Sequence, residues 1–317
     1  MTASLASTTH PLPRILFFGM PGIFSRTVLA GLLAAHLPIS ALILPTSTNA
    51  TPTLTRLNLP PMPPPAPNDL PLLNPDMEQN PIQLAWRHLI PVYEVGKLRA
   101  PEVQNFIREL APTVACVACF SKRIPPAVLA IPQHGFLNLH PSVLPAYRGP
   151  APLFWQLRNG EPHIGVTVHW MDETLDTGDI AAQTPVHLPD GITGPKADEL
   201  CAKAGRELLV DVLKTLATGH APRTAQAGEG SYQSWPQAKD FTLSTSWSAR
   251  HAYNFMRGTA EWGQPYAVEV AGKQLWLANA LTYRGEDLGQ PYIQENGVVK
   301  IQFSPGVLQA QLAENRL

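Results

Sequence analysis

Cysteine is scarce in this chain, and its three cysteines are poorly placed for a disulfide framework or a zinc site. They are Cys116, Cys119 and Cys201 in a chain of 317 residues. The first two form a C-x-x-C pattern, but no second pair stands at zinc-finger spacing, and no helix directly follows as in thioredoxin-type redox sites. The pair lies within TVACVACF, an apolar run that predicts a buried strand with the two side chains on opposite faces. We therefore expect buried cysteines without redox or metal chemistry.

The chain also lacks an excess of charge of either sign and a long apolar run. It has 23 Lys and Arg against 24 Asp and Glu, a formal net charge of −1. Such a balance gives no overall field that would draw the chain to nucleic acid or to an anionic membrane. We find no apolar run of about 20 residues, the length of a membrane-spanning helix. The N-terminal MTASLASTTHPLPR lacks the pattern of a signal peptide, so we expect a cytoplasmic protein without membrane association.

The N-terminal part has the pattern of a strand, a helix and a second strand. ILFF and ISALILP are short apolar runs on either side of a GMPG turn and a helical stretch with apolar residues at Val28, Leu29, Leu32 and Leu33. A βαβ unit of this kind predicts a Rossmann-like, mostly parallel sheet. The turn lacks the G-x-G-x-x-G spacing and the acidic residue of a dinucleotide site, so we do not expect a nicotinamide cofactor.

The remaining pattern predicts two domains. Segment 45–81 is rich in proline, which is disfavoured in the interior of helices and in central strands, and we predict a long loop there. A long amphipathic helix, KADELCAKAGRELLVDVLKTLATGH, precedes a stretch with little apolar content. Short β runs punctuated by glycine then predict a smaller β-barrel-like (OB-like) domain. The expected organisation is an α/β domain over 1–217, a linker over 218–231 and a β-rich domain over 232–317.

The polar residues with chemical potential follow two predicted strands. In FLNLHP, Asn138 and His140 share one face of a strand that Pro141 ends, and ligands of open α/β sheets bind at such carboxyl ends. The next predicted strand is followed by DETLDTGDI, whose turn residues can direct Asp176 inward. Imidazole, amide and carboxylate together can move protons and stabilise an oxyanion. Since no serine or cysteine has the context of an activated nucleophile, the nucleophile is expected to come from a substrate.

Two motifs in this region resemble those of a known family. They are N-x-H-[PG]-S-x-L-P-x-x-R-G, which begins at Asn138, and L-D-T-G-D, which contains Asp176. In this order and spacing they resemble the catalytic domain of the folate-dependent formyltransferases, over roughly residues 14–230 with 45–81 divergent. The FFGMPGIFS turn and the C-terminal β domain are most similar to the family members that act on methionyl-tRNA.

The resemblance implies a fold, a reaction and a set of site residues. The expected chemistry is transfer of a formyl group from 10-formyltetrahydrofolate to an amine, without a metal, by the catalytic residues Asn138, His140 and Asp176. It also implies six residues at the folate pocket: Phe120, Ile124, Ser142, Asp172, Thr174 and Leu175. His169 is expected to be a packed or surface histidine without a role in the reaction.

The acceptor amine stays open between alternatives. The resemblance favours methionyl-tRNA, and a polyanion of this kind requires basic surface. Segment 45–81 holds one arginine and three acidic residues, and 232–317 holds seven basic and seven acidic residues, which favours a small amine such as an amino sugar. Water in place of the amine would make the protein a 10-formyltetrahydrofolate hydrolase, and a folate-binding module without catalysis is the non-enzymatic alternative. The oligomeric state has no signal in the sequence.

Overall fold

The computed structural model describes residues 12–47, 49, 51–58 and 80–313, which form two compact units. The first unit contains the described residues up to Pro145 together with Gly165–Thr184 and Cys201–Gly230. The second contains Ala146–Ile164, Pro185–Leu200 and the described residues from Ser231 onward. Both units are discontinuous in sequence, and the domain boundaries at 217 and 232 stay a prediction.

In the described ranges, seven α-helices are found. They are α1 (Ile23–Ala34), α2 (Pro81–Arg87), α3 (Pro101–Glu109), α4 (Pro126–Leu129), α5 (Pro152–Arg158), α6 (Gly194–Ala217) and α7 (Ala249–Gly258). Helices α2 to α5 each begin with proline, whose fixed φ suits the first helical position and whose missing N–H is not needed there. At α2 the side chain of Asn80 also accepts a hydrogen bond from the backbone nitrogen of Ile82 at 2.9 Å. Within the described part of the chain, none of these helices combines the length and apolar character needed to span a membrane.

The first unit is built on a sheet to which the described residues contribute eight strands. They are β1 (Ile15–Gly19), β2 (Ile39–Pro45), β3 (Leu54–Leu57), β4 (Val92–Val95), β5 (Val114–Ala118), β6 (Phe136–His140), β7 (Ile164–Trp170) and β8 (Ile180–Val186). The order is β3-β4-β2-β1-β5-β6-β7-β8. Strands β4, β2, β1, β5 and β6 are parallel neighbours, and β3 and β7 pair antiparallel with β4 and β6. The predicted Rossmann-like, mostly parallel sheet is confirmed.

The carboxyl ends of β1 and β5 meet at the point where the order of the strands reverses, which is where α/β sheets place ligands. Ser25 of α1 ties these two ends together. Its hydroxyl donates a hydrogen bond to the carbonyl of Ala118 at 2.6 Å and accepts one from the backbone nitrogen of Met20 at 2.9 Å. Ser25 is 1% exposed, so this link between the carboxyl ends of β1 and β5 is buried.

Two predictions about this unit were wrong. The segment predicted as a loop, 45–81, contains β3, a short strand at the edge of the sheet. Residues 48, 50 and 59–79 of that segment lie outside the described residues. The predicted strand TVACVACF ends at Ala118, and Cys119 adopts a left-handed φ of 57° with an exposed side chain. Only Cys116 of the pair is buried, and its burial raises the pKa of its thiol.

The second unit contains a sheet of six strands among the residues that the structure describes. They are β9 (Thr242–Leu243), β10 (Tyr266–Val270), β11 (Lys273–Arg284), β12 (Tyr292–Glu295), β13 (Val298–Gln302) and β14 (Val307–Leu312), in the order β12-β13-β14-β11-β10-β9. Two tight hairpins have positive φ at both turn residues: Ala271 and Gly272 between β10 and β11, and Asn296 and Gly297 between β12 and β13. This is the turn geometry that matches the twist of paired strands. The predicted β-rich C-terminal domain is confirmed.

Candidate active site

Strands β6 and β7 present four polar side chains on one face of the sheet. Their antiparallel register places Asn138 opposite His169 and His140 opposite Thr167. Directly opposed residues of an antiparallel pair point to the same side, so these side chains are neighbours. His140, Thr167 and His169 are 4%, 0% and 1% exposed. The sequence alternation that put Asn138 and His140 on one face is confirmed, and β7 adds two polar groups to it.

The loop between β7 and β8 turns Asp176 back toward this face. The carboxylate of Asp172 accepts a hydrogen bond from the hydroxyl of Thr177 at 2.9 Å, which closes the loop on itself. Asp176 has a φ of 57°, a left-handed conformation that aspartate adopts more readily than most residues. Gly178 lies so close to Trp170 that an added Cβ would be 1.8 Å from the Trp170 carbonyl oxygen. The backbone therefore requires glycine there, and the turn leaves Asp176 only 7% exposed.

Asn138, His140 and Asp176, predicted from two motifs in separate parts of the sequence, meet at one point. The Nδ1 atom of His140 lies 3.8 Å from one carboxylate oxygen of Asp176, an ion pair when the imidazole is protonated. The Nδ2 atom of Asn138 donates a hydrogen bond to the other carboxylate oxygen at 3.4 Å. The arrangement gives an imidazole that can carry a proton, a carboxylate that favours the protonated form, and an amide donor.

His169 is a fourth member of this group, and the sequence interpretation missed it. Its Nδ1 lies 3.0 Å from the carbonyl oxygen of Trp170, which can only accept, so Nδ1 carries the hydrogen. Its Nε2 lies 3.1 Å from Nδ2 of Asn138 and 3.5 Å from the Asp176 carboxylate. In the neutral imidazole with this tautomer, Nε2 accepts a hydrogen bond from the Asn138 amide. The signal that would have found His169 is the register of β7 against β6, which single-strand periodicity does not contain.

Comparison with known proteins identifies the family of this chain. The formyl transferase family model matches residues 72–213. A methionyl-tRNA formyltransferase of Pelotomaculum thermopropionicum is 34% identical over 211 residues, which are 66% of this chain and 67% of that relative. The chain belongs to the formyl transferase family. A second methionyl-tRNA formyltransferase, from Clostridioides difficile, is 38% identical over 185 residues, which are 58% of this chain and 60% of that relative.

A solved formyltransferase has the same fold. It is an N-formyltransferase from Helicobacter canadensis, in complex with folinic acid and dTDP-3-aminofucose. The TM-score is 0.64 at 16% sequence identity, and the match covers 94% of this chain and 98% of that chain. At this low sequence identity, the similarity shows a shared fold only.

Three residues predicted for the folate pocket of this formyl transferase family member lie in or beside the core. Ile124 is 4% exposed and belongs to the same apolar cluster as Phe18. Phe120 is partly buried and meets the Phe18 ring edge-on, with 5.2 Å between centroids. Ser142 is fully buried, and its carbonyl accepts a hydrogen bond from the Thr167 hydroxyl at 2.7 Å. Their contact with folate stays a prediction.

The other three predicted pocket residues lie on the exposed side of the loop that carries Asp176. Thr174 donates both its backbone N–H and its hydroxyl to the Asp172 carboxylate, each at 2.9 Å. Arg123 donates a hydrogen bond to the carbonyl of Glu173 and so holds the loop from the other side. Leu175 is 48% exposed, an apolar side chain next to the proposed catalytic carboxylate. Among the described residues, no group of three or more His, Cys, Asp and Glu side chains is arranged to hold a metal ion.

Proposed function

We propose that this chain transfers a formyl group from 10-formyltetrahydrofolate to an amine. The observation that carries the proposal is the meeting of Asn138, His140 and Asp176 at the carboxyl end of β6. A set of this kind can stabilise a tetrahedral intermediate and move protons, and it leaves the nucleophile to be supplied by a substrate. Membership of the formyl transferase family supports the same reaction.

The proposed steps balance without a covalent enzyme intermediate. The acceptor amine attacks the formyl carbon and forms a new C–N bond, while the formyl oxygen becomes an oxyanion. Protonated His140 and the amide of Asn138 stabilise this oxyanion. The intermediate then collapses, the bond from carbon to N10 of tetrahydrofolate breaks, and the proton lost by the amine goes to that nitrogen. Asp176 keeps His140 protonated and oriented, because a nearby carboxylate favours the charged imidazole.

Asn138 has the hydrogen that this step requires. An amide nitrogen carries two hydrogens. One faces the Nε2 atom of His169 at 3.1 Å, whereas the contact with Asp176 is longer, at 3.4 Å. The hydrogen in the longer and weaker contact is the one that a formyl oxygen can approach and accept from when the donor binds, without loss of the bond to His169.

For the acceptor we propose methionyl-tRNA, which the curated relatives are named for. A small amine is the second candidate, favoured by two observations. The equal numbers of basic and acidic residues in 232–317 give no excess of positive charge for a polyanion. The H. canadensis enzyme with the same fold was solved with dTDP-3-aminofucose. Location in the cytoplasm stays a prediction.

The test is acceptor-dependent release of tetrahydrofolate from 10-formyltetrahydrofolate. Reactions would contain no acceptor, methionine-charged initiator tRNA, uncharged initiator tRNA, or dTDP-3-aminofucose. The proposal predicts release that the charged tRNA accelerates and the uncharged tRNA does not, with formylmethionine as the second product. Acceleration by the amino sugar alone would establish the second candidate. Equal release in all four reactions would identify a hydrolase, and binding of folate without release would contradict an enzymatic function.

A further inference from the structure

A short segment after α6, residues 222–226, runs beside the loop that carries Asp176. We name this segment the strap. Thr224 pairs with Ile180 through two backbone hydrogen bonds of 2.8 and 2.9 Å. The carbonyl of Pro222 accepts a hydrogen bond from the indole nitrogen of Trp170 at 2.8 Å. Trp170 ends β7 and Ile180 begins β8, so the strap is attached to both ends of the loop.

Arg223 strengthens this attachment. Its guanidinium lies 4.0 Å from the centre of the Trp170 ring, a cation–π contact, and 4.0 Å from the carboxylate of Asp179. It also donates a hydrogen bond to the carbonyl of His134 at 3.4 Å. These contacts hold the strap to Trp170 at one end of the loop and to Asp179 and Ile180 at the other. The backbone of the strap therefore has a defined position relative to Asp176.

Gln226 uses this position to hold the loop itself. Its Nε2 atom donates hydrogen bonds to the carbonyl oxygens of Asp176 and Gly178, both at 2.8 Å. A carboxamide nitrogen has two hydrogens, and these two bonds use both of them. The two carbonyls lie on either side of Thr177, in the turn where Asp176 has its left-handed φ. The side chain of Gln226 therefore fixes the turn that sets the direction of the Asp176 carboxylate.

We propose that Gln226 is a positioning residue for formyl transfer, acting through the backbone of Asp176. The inference rests on the proposed function, because it gives Gln226 a role only if Asp176 must face His140 for the reaction. The Asp176 carboxylate reaches His140 at 3.8 Å and Asn138 at 3.4 Å, distances that a small shift of the turn would lengthen. Misplacement of a catalytic group by about 1 Å can cost on the order of a hundredfold in rate.

The test compares Gln226→Met and Gln226→Glu with the wild-type chain. Methionine has the length of glutamine but no hydrogen to donate, and glutamate has its shape but places an acceptor against two carbonyl oxygens. We expect kcat to fall about tenfold to a hundredfold in Gln226→Met and further in Gln226→Glu. Losses of this size are typical of residues that orient a functional group by hydrogen bonds, as the residues around metal ligands do. The KM for 10-formyltetrahydrofolate is expected to change less than threefold. Gln294→Met, at an exposed glutamine of β12, is the matched control.

The outcomes separate this inference from the proposed function. The assay is tetrahydrofolate release with methionine-charged initiator tRNA and, separately, with dTDP-3-aminofucose. A wild-type chain that is inactive with both would overturn the proposed function. An active wild-type chain with an unchanged kcat in Gln226→Met would overturn the role of Gln226 alone. If Gln226 only fills space, the order is reversed, and Gln226→Glu is more active than Gln226→Met because glutamate has the shape of glutamine. Thermal unfolding identifies a variant that does not fold, and the other variant then decides.

Discussion

Replacement of His169 by phenylalanine tests whether this buried histidine orients Asn138. The variant keeps an aromatic ring at a position that is 1% exposed but removes both ring nitrogens. Two hydrogen-bonding groups lose a partner: the amide of Asn138, 3.1 Å from Nε2, and the carbonyl of Trp170, 3.0 Å from Nδ1. A buried polar group left without its partner costs about 1–3 kcal/mol.

The expected effects differ for stability and for rate. Loss of two such bonds lowers the free energy of unfolding by about 2–6 kcal/mol. The freed amide of Asn138 can rotate away from the formyl oxygen, and a loss of about 1.4–2.8 kcal/mol of transition-state stabilisation corresponds to a fall in kcat of about tenfold to a hundredfold. His187→Phe, at an exposed histidine, is the control.

The assays are urea-induced unfolding and steady-state formyl transfer. A His169→Phe variant with the unfolding midpoint and kcat of the wild-type chain would refute the reasoning, because it would show that neither bond contributes. A lower midpoint with an unchanged kcat would reduce His169 to a structural residue.

Three further predictions follow from the described residues. Burial raises the pKa of Asp198 from its ordinary 3.8 to about 6, so the cost of ionising it in the folded protein grows between these two pH values and is complete above about pH 6. Asp198→Asn is therefore expected to raise the free energy of unfolding at pH 7.5 by up to about 3 kcal/mol and to have no such effect at pH 3, which urea unfolding at both pH values checks. Gly178→Ala places a Cβ against the carbonyl of Trp170 and is expected to lower kcat about tenfold or more by displacing the loop, which the tetrahydrofolate-release assay would measure. A thiol reagent is expected to modify Cys119 first in the native protein and to leave buried Cys116 unmodified, as mass spectrometry of the labelled peptides would show.

Much of the first sheet could be predicted because its strands are short apolar runs with clear ends. ILFF, ISALILP and FLNLHP each end at glycine or proline, and all three appear as strands with nearly the predicted bounds. The same alternation placed Asn138 and His140 on one face. Asp176 was found through turn chemistry and through the motif, and the structure brings it within 3.8 Å of His140.

What could not be predicted depends on contacts between distant parts of the chain. Strand β3 lies in a proline-rich segment and is stabilised by pairing with β4, which local composition does not reveal. His169 gains its significance from the register of β7 against β6, and Gln226 from two hydrogen bonds across 50 and 48 residues of sequence. Cys119 lies outside the strand because the backbone adopts a positive φ at that residue, although its neighbours are apolar.

The most direct test of the central claim is single-turnover formyl transfer by His140→Ala, compared with His187→Ala at an exposed histidine. Formation of formylmethionine on charged initiator tRNA is measured together with release of tetrahydrofolate. If His140 stabilises the oxyanion as proposed, its loss lowers the transfer rate about 10³-fold while 10-formyltetrahydrofolate still binds, and His187→Ala reacts like the wild-type chain. A His140→Ala chain that transfers the formyl group at a rate close to wild type would contradict the proposed site.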